Sequence, residues 1–293
     1  MALMIQKTRR TIGLVLRGFC MGAADIVPGV SGGTMAFILG IYEELIDAIR
    51  LFGQKEMWHE LRTGNIIAAA RLPRWDFLFS VGGGILMAAA ILAAPLEHAL
   101  ETSPQRVWSF FFGLVTASLF LVAKRVQSWT LTNGVMLLLG SAVAYAIVGL
   151  VPVSTPNEPW FLVLCGAIAI CAMILPGISG AFLLVILGKY EFILSAVNNR
   201  DIISIAYIGI GAVVGLILFS QILGWLFAKY HDRTVAFLTG LMIGSLRKIW
   251  PWKVEDMNVI PSLDSTTWEL IGLMFVGCIL VVVIELIATR RKT

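Results

Sequence analysis

Two short runs in this chain, Pro28-Gly29-Val30-Ser31-Gly32-Gly33-Thr34 and Pro176-Gly177-Ile178-Ser179-Gly180, combine residue types suited to holding an anion on the backbone. Proline removes a helical donor and clashes with the preceding turn, and glycine accepts the positive φ that reverses a chain. A helix that restarts after such a break presents up to four unpaired N–H groups, and its dipole favours a negative charge by about 0.3–2 kcal/mol. A Ser or Thr hydroxyl can cap that helix, while glycine leaves the amides open to close approach. Ser31, Gly32, Gly33, Thr34, Ser179 and Gly180 are therefore candidate anion ligands. The alternative is that Ser31 and Ser179 only cap their own helices and the glycines allow tight packing.

Charged residues in apolar surroundings extend the constellation. Asp25 lies one turn before Pro28, where a carboxylate is costly unless protonated or paired. It could carry a coupling proton or sodium ion, or cap amides of its own hairpin. Glu43 and Glu191, three turns beyond the two breaks, read either as gates or proton carriers or as interfacial Tyr-Glu anchors; Glu285 is a further carboxylate of this kind. Arg17, Arg106, Arg233 and Arg247 are candidate counter-charges, because guanidinium grips phosphate oxygens two at a time. Snorkelling is the alternative for Arg17, and topology signalling for Arg106 and Arg233. Gly-x-Ser-Gly also occurs in rhomboid intramembrane proteases, but a nucleophilic Ser needs a base. The three histidines, His59, His98 and His231, fall in expected loops or at span edges. Cys20, Cys165, Cys171 and Cys278 lack metal-ligand spacing and read as lone core thiols. Neither a metal nor a cofactor is expected.

The elements that position these residues must lie in a membrane. Of 293 residues, 58% are hydrophobic and 14% charged, and the mean hydropathy is +0.88. Too few polar residues remain to cover a water-facing surface. Apolar runs of crossing length occupy 76–96, 105–123, 130–151, 203–228, 234–249 and 267–288. Two longer stretches, 11–49 and 158–197, are interrupted at the Pro-Gly runs and read as re-entrant helical hairpins. The net charge of +4 is dispersed among loops, which argues against a nucleic-acid partner. With the N-terminus in the cytoplasm, fifteen of the 22 Lys and Arg fall on the cytoplasmic side and five outside, with Arg17 and Lys189 inside the hairpins. Both termini are then cytoplasmic, and the basic N-terminal segment reads as retained because no small-residue cleavage site follows it.

The halves also match each other. A shift of 148 aligns the two Pro-Gly runs, and Ile38-Leu39-Gly40 with Ile186-Leu187-Gly188; a shift of 127 aligns Gly84 with Gly211, Phe110 with Phe237 and Gly113-Leu114 with Gly240-Leu241. The fold class expected is an all-α polytopic membrane protein of two inverted-topology repeats, 1–152 and 153–293, each a re-entrant hairpin plus three transmembrane helices. Hairpins entering from opposite faces would bring their breaks together near the midplane.

The segment from Gly22-Ala23-Ala24-Asp25-Ile26-Val27-Pro28-Gly29-Val30-Ser31-Gly32-Gly33-Thr34 to Gly40-Ile41-Tyr42-Glu43 resembles the signature of the bacterial polyprenyl-phosphate transporter family, PopT. The second Pro-Gly-Ile-Ser-Gly and the Phe-x-Gly-Leu segments at 111 and 238 fit it as well. The resemblance implies a non-enzymatic translocase that returns undecaprenyl phosphate, the lipid carrier of cell-wall precursors, across the bacterial inner membrane. The partners it implies are that lipid and the surrounding bilayer, and a homodimer is compatible with it. Ion coupling would fit Asp25. A channel or carrier for a small soluble anion, phosphate or chloride, would use the same dipoles and glycines.

Overall fold

The computed structural model describes residues 2–27, 30–254, 257–262 and 264–290. Pro28 and Gly29 of the first break, and Arg291 and Lys292 of the basic C-terminus, lie outside the described residues. The chain folds almost entirely as helix. The first half runs through α1 (Ala2–Ile26), α2 (Gly32–Ile38), α3 (Tyr42–Arg50), α4 (Lys55–Arg62), α5 (Ile66–Arg71), α6 (Trp75–Thr102), α7 (Pro104–Ala123) and α8 (Leu131–Val148). The second half runs through α9 (Pro159–Ile174), α10 (Gly180–Ile186), α11 (Tyr190–Asn198), α12 (Ile202–Ser245) and α13 (Ser265–Arg290). A small antiparallel ribbon, β1 (Lys253–Val254) and β2 (Met257–Asn258), lies between α12 and α13.

Five of the described helices, α6, α7, α8, α12 and α13, are long and apolar enough to cross a membrane. Six crossings are expected from sequence, and α12 accounts for the difference. Its 44 residues would rise about 66 Å as a straight helix, roughly twice a hydrocarbon core. The backbone leaves helical geometry at Tyr230 (φ −136°, ψ 45°), between the runs 203–228 and 234–249. Asp232 ties this break to the α7–α8 connection by accepting the Gln127 and Ser128 N–H groups at 3.2 and 3.0 Å. α6 continues through Pro95 to Thr102, beyond the expected end at 96. In lipid a broken helix would strand more backbone groups than the one bond that proline removes.

Both interrupted stretches take the same form: a long helix, a break, a seven-residue helix, and a turned exit helix. α2 and α10 end on matching turns, in which Gly40 (φ 70°) and Gly188 (φ 61°) adopt the left-handed conformation. The Ile41 N–H then reaches the Ala36 carbonyl at 3.0 Å, and the Lys189 N–H reaches that of Leu184 at 2.8 Å. These are the bonds that close a helix on a left-handed glycine. α10 and α11 meet at 104°.

Glycine governs how the long helices pack. A methyl group at Gly18 would collide with the Val81 carbonyl where α1 lies on α6, and one at Gly166 with that of Ile208 where α9 lies on α12. Gly84 abuts Val15, and Gly211 abuts Val163. At the other contacts Gly113 of α7 meets Met274 of α13, and Gly240 of α12 meets Leu137 of α8. Small residues that let backbones approach are the ordinary means of helix association in lipid, where Leu against Leu gains little over Leu against a lipid tail.

Candidate functional site

The helices that leave the two breaks start on capped serines. Ser31 accepts the Gly33 N–H at 3.1 Å, and Ser179 accepts that of Phe182 at 3.4 Å, both from extended backbone. The Asp25 carboxylate, in the last turn of α1, accepts the Gly32 N–H at 2.6 Å. The capping roles considered for Ser31, Ser179 and Asp25 are thus present in the structure.

The two breaks meet. The Ser31 hydroxyl lies 3.1 and 3.0 Å from the carbonyls of Met173 and Leu175, where α9 has run out of helical donors. Thr34 Oγ1 accepts the Gly177 N–H at 3.0 Å. Each turn therefore satisfies backbone groups stranded by the other, which in hydrocarbon would cost several kcal/mol apiece. Close approach depends on Gly33, where a methyl group would strike the Ile174 carbonyl. Gly177 takes φ 86°, open to glycine and rarely to other residues. Ser31, Gly32, Gly33 and Thr34 are all buried, and the amides of Gly32, Gly33 and Gly177 are held by protein acceptors. The breaks form a seam in which those amides are bonded within the protein.

Open space begins beside the seam. A cleft of about 730 Å³ is lined by Asp25 and Ser179 beside the seam, by Phe182 and Lys248, by Glu97 and Glu101 near the end of α6, and by Tyr190 at the start of α11. The exit of the first hairpin is packed instead. Phe37 and Tyr42 are fully buried with ring centroids 3.9 Å apart, and Phe227 lies 5.8 Å from Tyr42. Beyond this aromatic cluster a cavity of about 190 Å³ is lined by Glu43, Asp47 and Arg50.

The remaining sequence candidates are spread out. Arg17 lies half-buried two turns before Asp25. Arg106 forms an ion pair with Glu269 at 2.8 Å, joining the starts of α7 and α13. Arg233 lies over the Tyr230 ring, 5.3 Å from its centroid, at the break in α12. Glu43 stands 3.4 Å from His231 Nε2, whose other ring nitrogen faces Asp232 at 3.3 Å. Glu191 is exposed, next to Tyr190 of the cleft. Neither serine hydroxyl has an imidazole among its described contacts, so neither has the base a nucleophile requires.

Glu97, Glu101 and Lys248 line the cleft without having been singled out from sequence. Lys248 carried a usable signal, because it adjoins Arg247 directly after an apolar run. The two glutamates carried none, since they read as ordinary residues at the end of a span.

The chain matches the family model described as undecaprenyl phosphate translocase-like over residues 21–268. It is similar to the polyprenyl-phosphate transporter of Vibrio cholerae serotype O1, with 42% identity over 254 residues covering 85% of this chain and 81% of that protein. It is similar also to the polyprenyl-phosphate transporter of Staphylococcus aureus, with 28% identity over 256 residues covering 81% and 85%. No solved structure matches it.

Proposed function

Since the chain belongs to the undecaprenyl phosphate translocase-like family, we propose that it carries undecaprenyl phosphate across the bacterial cytoplasmic membrane, returning it from the outer to the inner leaflet. The observation that carries this reading is the cleft that reaches the seam at Asp25 and Ser179, while the aromatic cluster of Phe37, Tyr42 and Phe227 packs the exit of the first hairpin. With both termini cytoplasmic, as the distribution of Lys and Arg favours, that cleft opens outward. The phosphate enters it from the outer leaflet, and the isoprenoid chain stays in lipid along the exposed apolar helix faces.

We read the chain as two inverted repeats, 1–152 and 153–293. The paired glycine contacts support this, because Gly18 with Val81 and Gly166 with Ile208 differ by the same 148 and 127 residues that align the sequences. On this reading the two hairpins exchange roles during transport. Tyr42 is fully buried, and its counterpart Tyr190 is 45% exposed and lines the cleft. The opposite state buries Tyr190 and frees Tyr42. Between the two states the seam parts, releasing the amides of Gly32, Gly33, Ser179 and Gly180 and the hydroxyls of Ser31 and Thr34 to the phosphate, with Arg17 neutralising charge. Asp25 couples the step: a proton or sodium ion on its carboxylate competes with the Gly32 N–H and loosens the first turn.

The test is reconstitution in liposomes with labelled undecaprenyl phosphate in one leaflet and imposed proton or sodium gradients. The wild type should move the lipid, Ser31→Ala and Arg17→Ala should slow it, and Asp25→Asn should abolish the response to the gradient. Wild-type protein that moves soluble phosphate and leaves the lipid in place would overturn the reading in favour of a small-anion carrier. Rates for Ser31→Ala and Arg17→Ala equal to wild type, in correctly inserted protein, would remove the seam as the phosphate site.

A further inference from the structure

The cleft beside the seam shares a wall, formed by Phe182, Val185 and Lys248, with a second cleft of about 770 Å³. The second cleft has a different chemistry. Its described lining carries Arg247, Lys248 and Lys253 and no carboxylate, whereas the first is lined by Asp25, Glu97 and Glu101. The cations come together because α12 ends at Ser245 and the ribbon β1–β2 folds back on the turn that follows. Lys253 Nζ donates to the Lys248 carbonyl at 2.6 Å, and Asn258 Nδ2 donates to that of Arg247 at 2.9 Å. Aromatic rings then fix the charged heads: Arg247 lies 4.4 Å from the Tyr145 ring centroid and Lys248 lies 4.5 Å from that of Phe182.

The neighbouring cations Arg247 and Lys248 repel one another, and an anion placed between them relieves that repulsion. The rest of the wall indicates what kind of anion. Tyr145, Leu150 and Val151 border the same cleft and are 56%, 53% and 75% exposed, an apolar surface of no use to a hydrated ion. A headgroup on the cations with a hydrocarbon chain along this wall uses both halves of the cleft.

We propose that this second cleft is a loading site for a polyprenyl phosphate. Arg247 and Lys248 take the phosphate, the first isoprene units lie on Tyr145, Leu150 and Val151, and Lys248, which borders both clefts, hands the headgroup to the one at the seam. The proposal rests on the transport reading and deepens it by separating the residues that capture the lipid from those that pass it through.

The experiment uses full-length protein in liposomes and measures initial lipid transport against the mole fraction of undecaprenyl phosphate. The double variant Arg247→Gln/Lys248→Gln should raise the half-saturating fraction about tenfold or more and flatten its dependence on salt, since exposed charge attraction is screened over about 8–10 Å at physiological ionic strength. Arg247→Lys/Lys248→Arg should restore both. An unchanged half-saturating fraction in the double variant overturns the loading site and leaves the transport reading standing. A wild type that moves no lipid sinks the transport reading itself. Should the double variant fail to fold, a polyprenyl phosphate bearing a diazirine in its first isoprene units decides the matter on wild-type protein. Labelling at residues 145–151 supports the site, and labelling confined elsewhere overturns it. Millimolar inorganic phosphate should compete weakly; competition as strong as that of the lipid would assign the cations to a free anion and overturn the lipid site.

Discussion

Thr34 accepts the Gly177 N–H across the two breaks, and both groups are buried. Replacing the hydroxyl by a methyl of the same shape strands that donor, so Thr34→Val should destabilise the protein by about 1–3 kcal/mol. Thermal unfolding in detergent would register the loss, and Thr34→Ser should recover most of it. Transport should fall with Thr34→Val as well, because the seam loses its register. At this scale the sequence was partly legible. Ser31 and Ser179 could be read as caps from their place after Pro-Gly, since capping is local. The bond from Thr34 to Gly177 could not, because it joins residues 143 apart that meet only when two hairpins fold against each other. Lys248 stands out in sequence only as a cation next to Arg247; its place over the Phe182 ring of the second hairpin needs the fold.

The left-handed glycines Gly40 and Gly188 turn each hairpin from its short inner helix into its exit helix. An L side chain in that conformation costs roughly 1–2 kcal/mol, so Gly40→Ala and Gly188→Ala should each lower stability by about that much. If the two turns serve equivalent hairpins, the variants should slow lipid movement to a similar degree; a large loss from one and none from the other would count against equivalence. Broken stretches at 11–49 and 158–197 were visible from sequence because Pro and Gly act on backbone geometry directly. The ends of elements were harder to see. α1 begins at Ala2, ahead of residue 11, because Arg9 and Arg10 continue the helix past the apolar run. The short helices α4 and α5 and the ribbon β1–β2 fill connections between the long apolar runs. Nothing periodic that short rises above its surroundings.

For the molecule as a whole, the unequal exposure of Tyr42 and Tyr190 predicts how access shifts from one side to the other. In protein whose four native cysteines have been replaced, Tyr190→Cys should react readily with a membrane-impermeant thiol reagent and Tyr42→Cys should resist it. Substrate with the opposing gradient should reverse that order, as expected when a ligand shifts a two-state population. A fixed order under every condition would argue for a static pathway. The pairing of α7 with α13 and of α8 with α12 has a consequence for biosynthesis. Gly113 is made about 160 residues before Met274, the backbone it rests on, and at about 5–20 residues per second that interval is on the order of 10–30 s. Through that time the grooved face of α7 meets lipid or the insertion machinery, so a message truncated before α13 should yield a chain that integrates and is then degraded for want of its last helix.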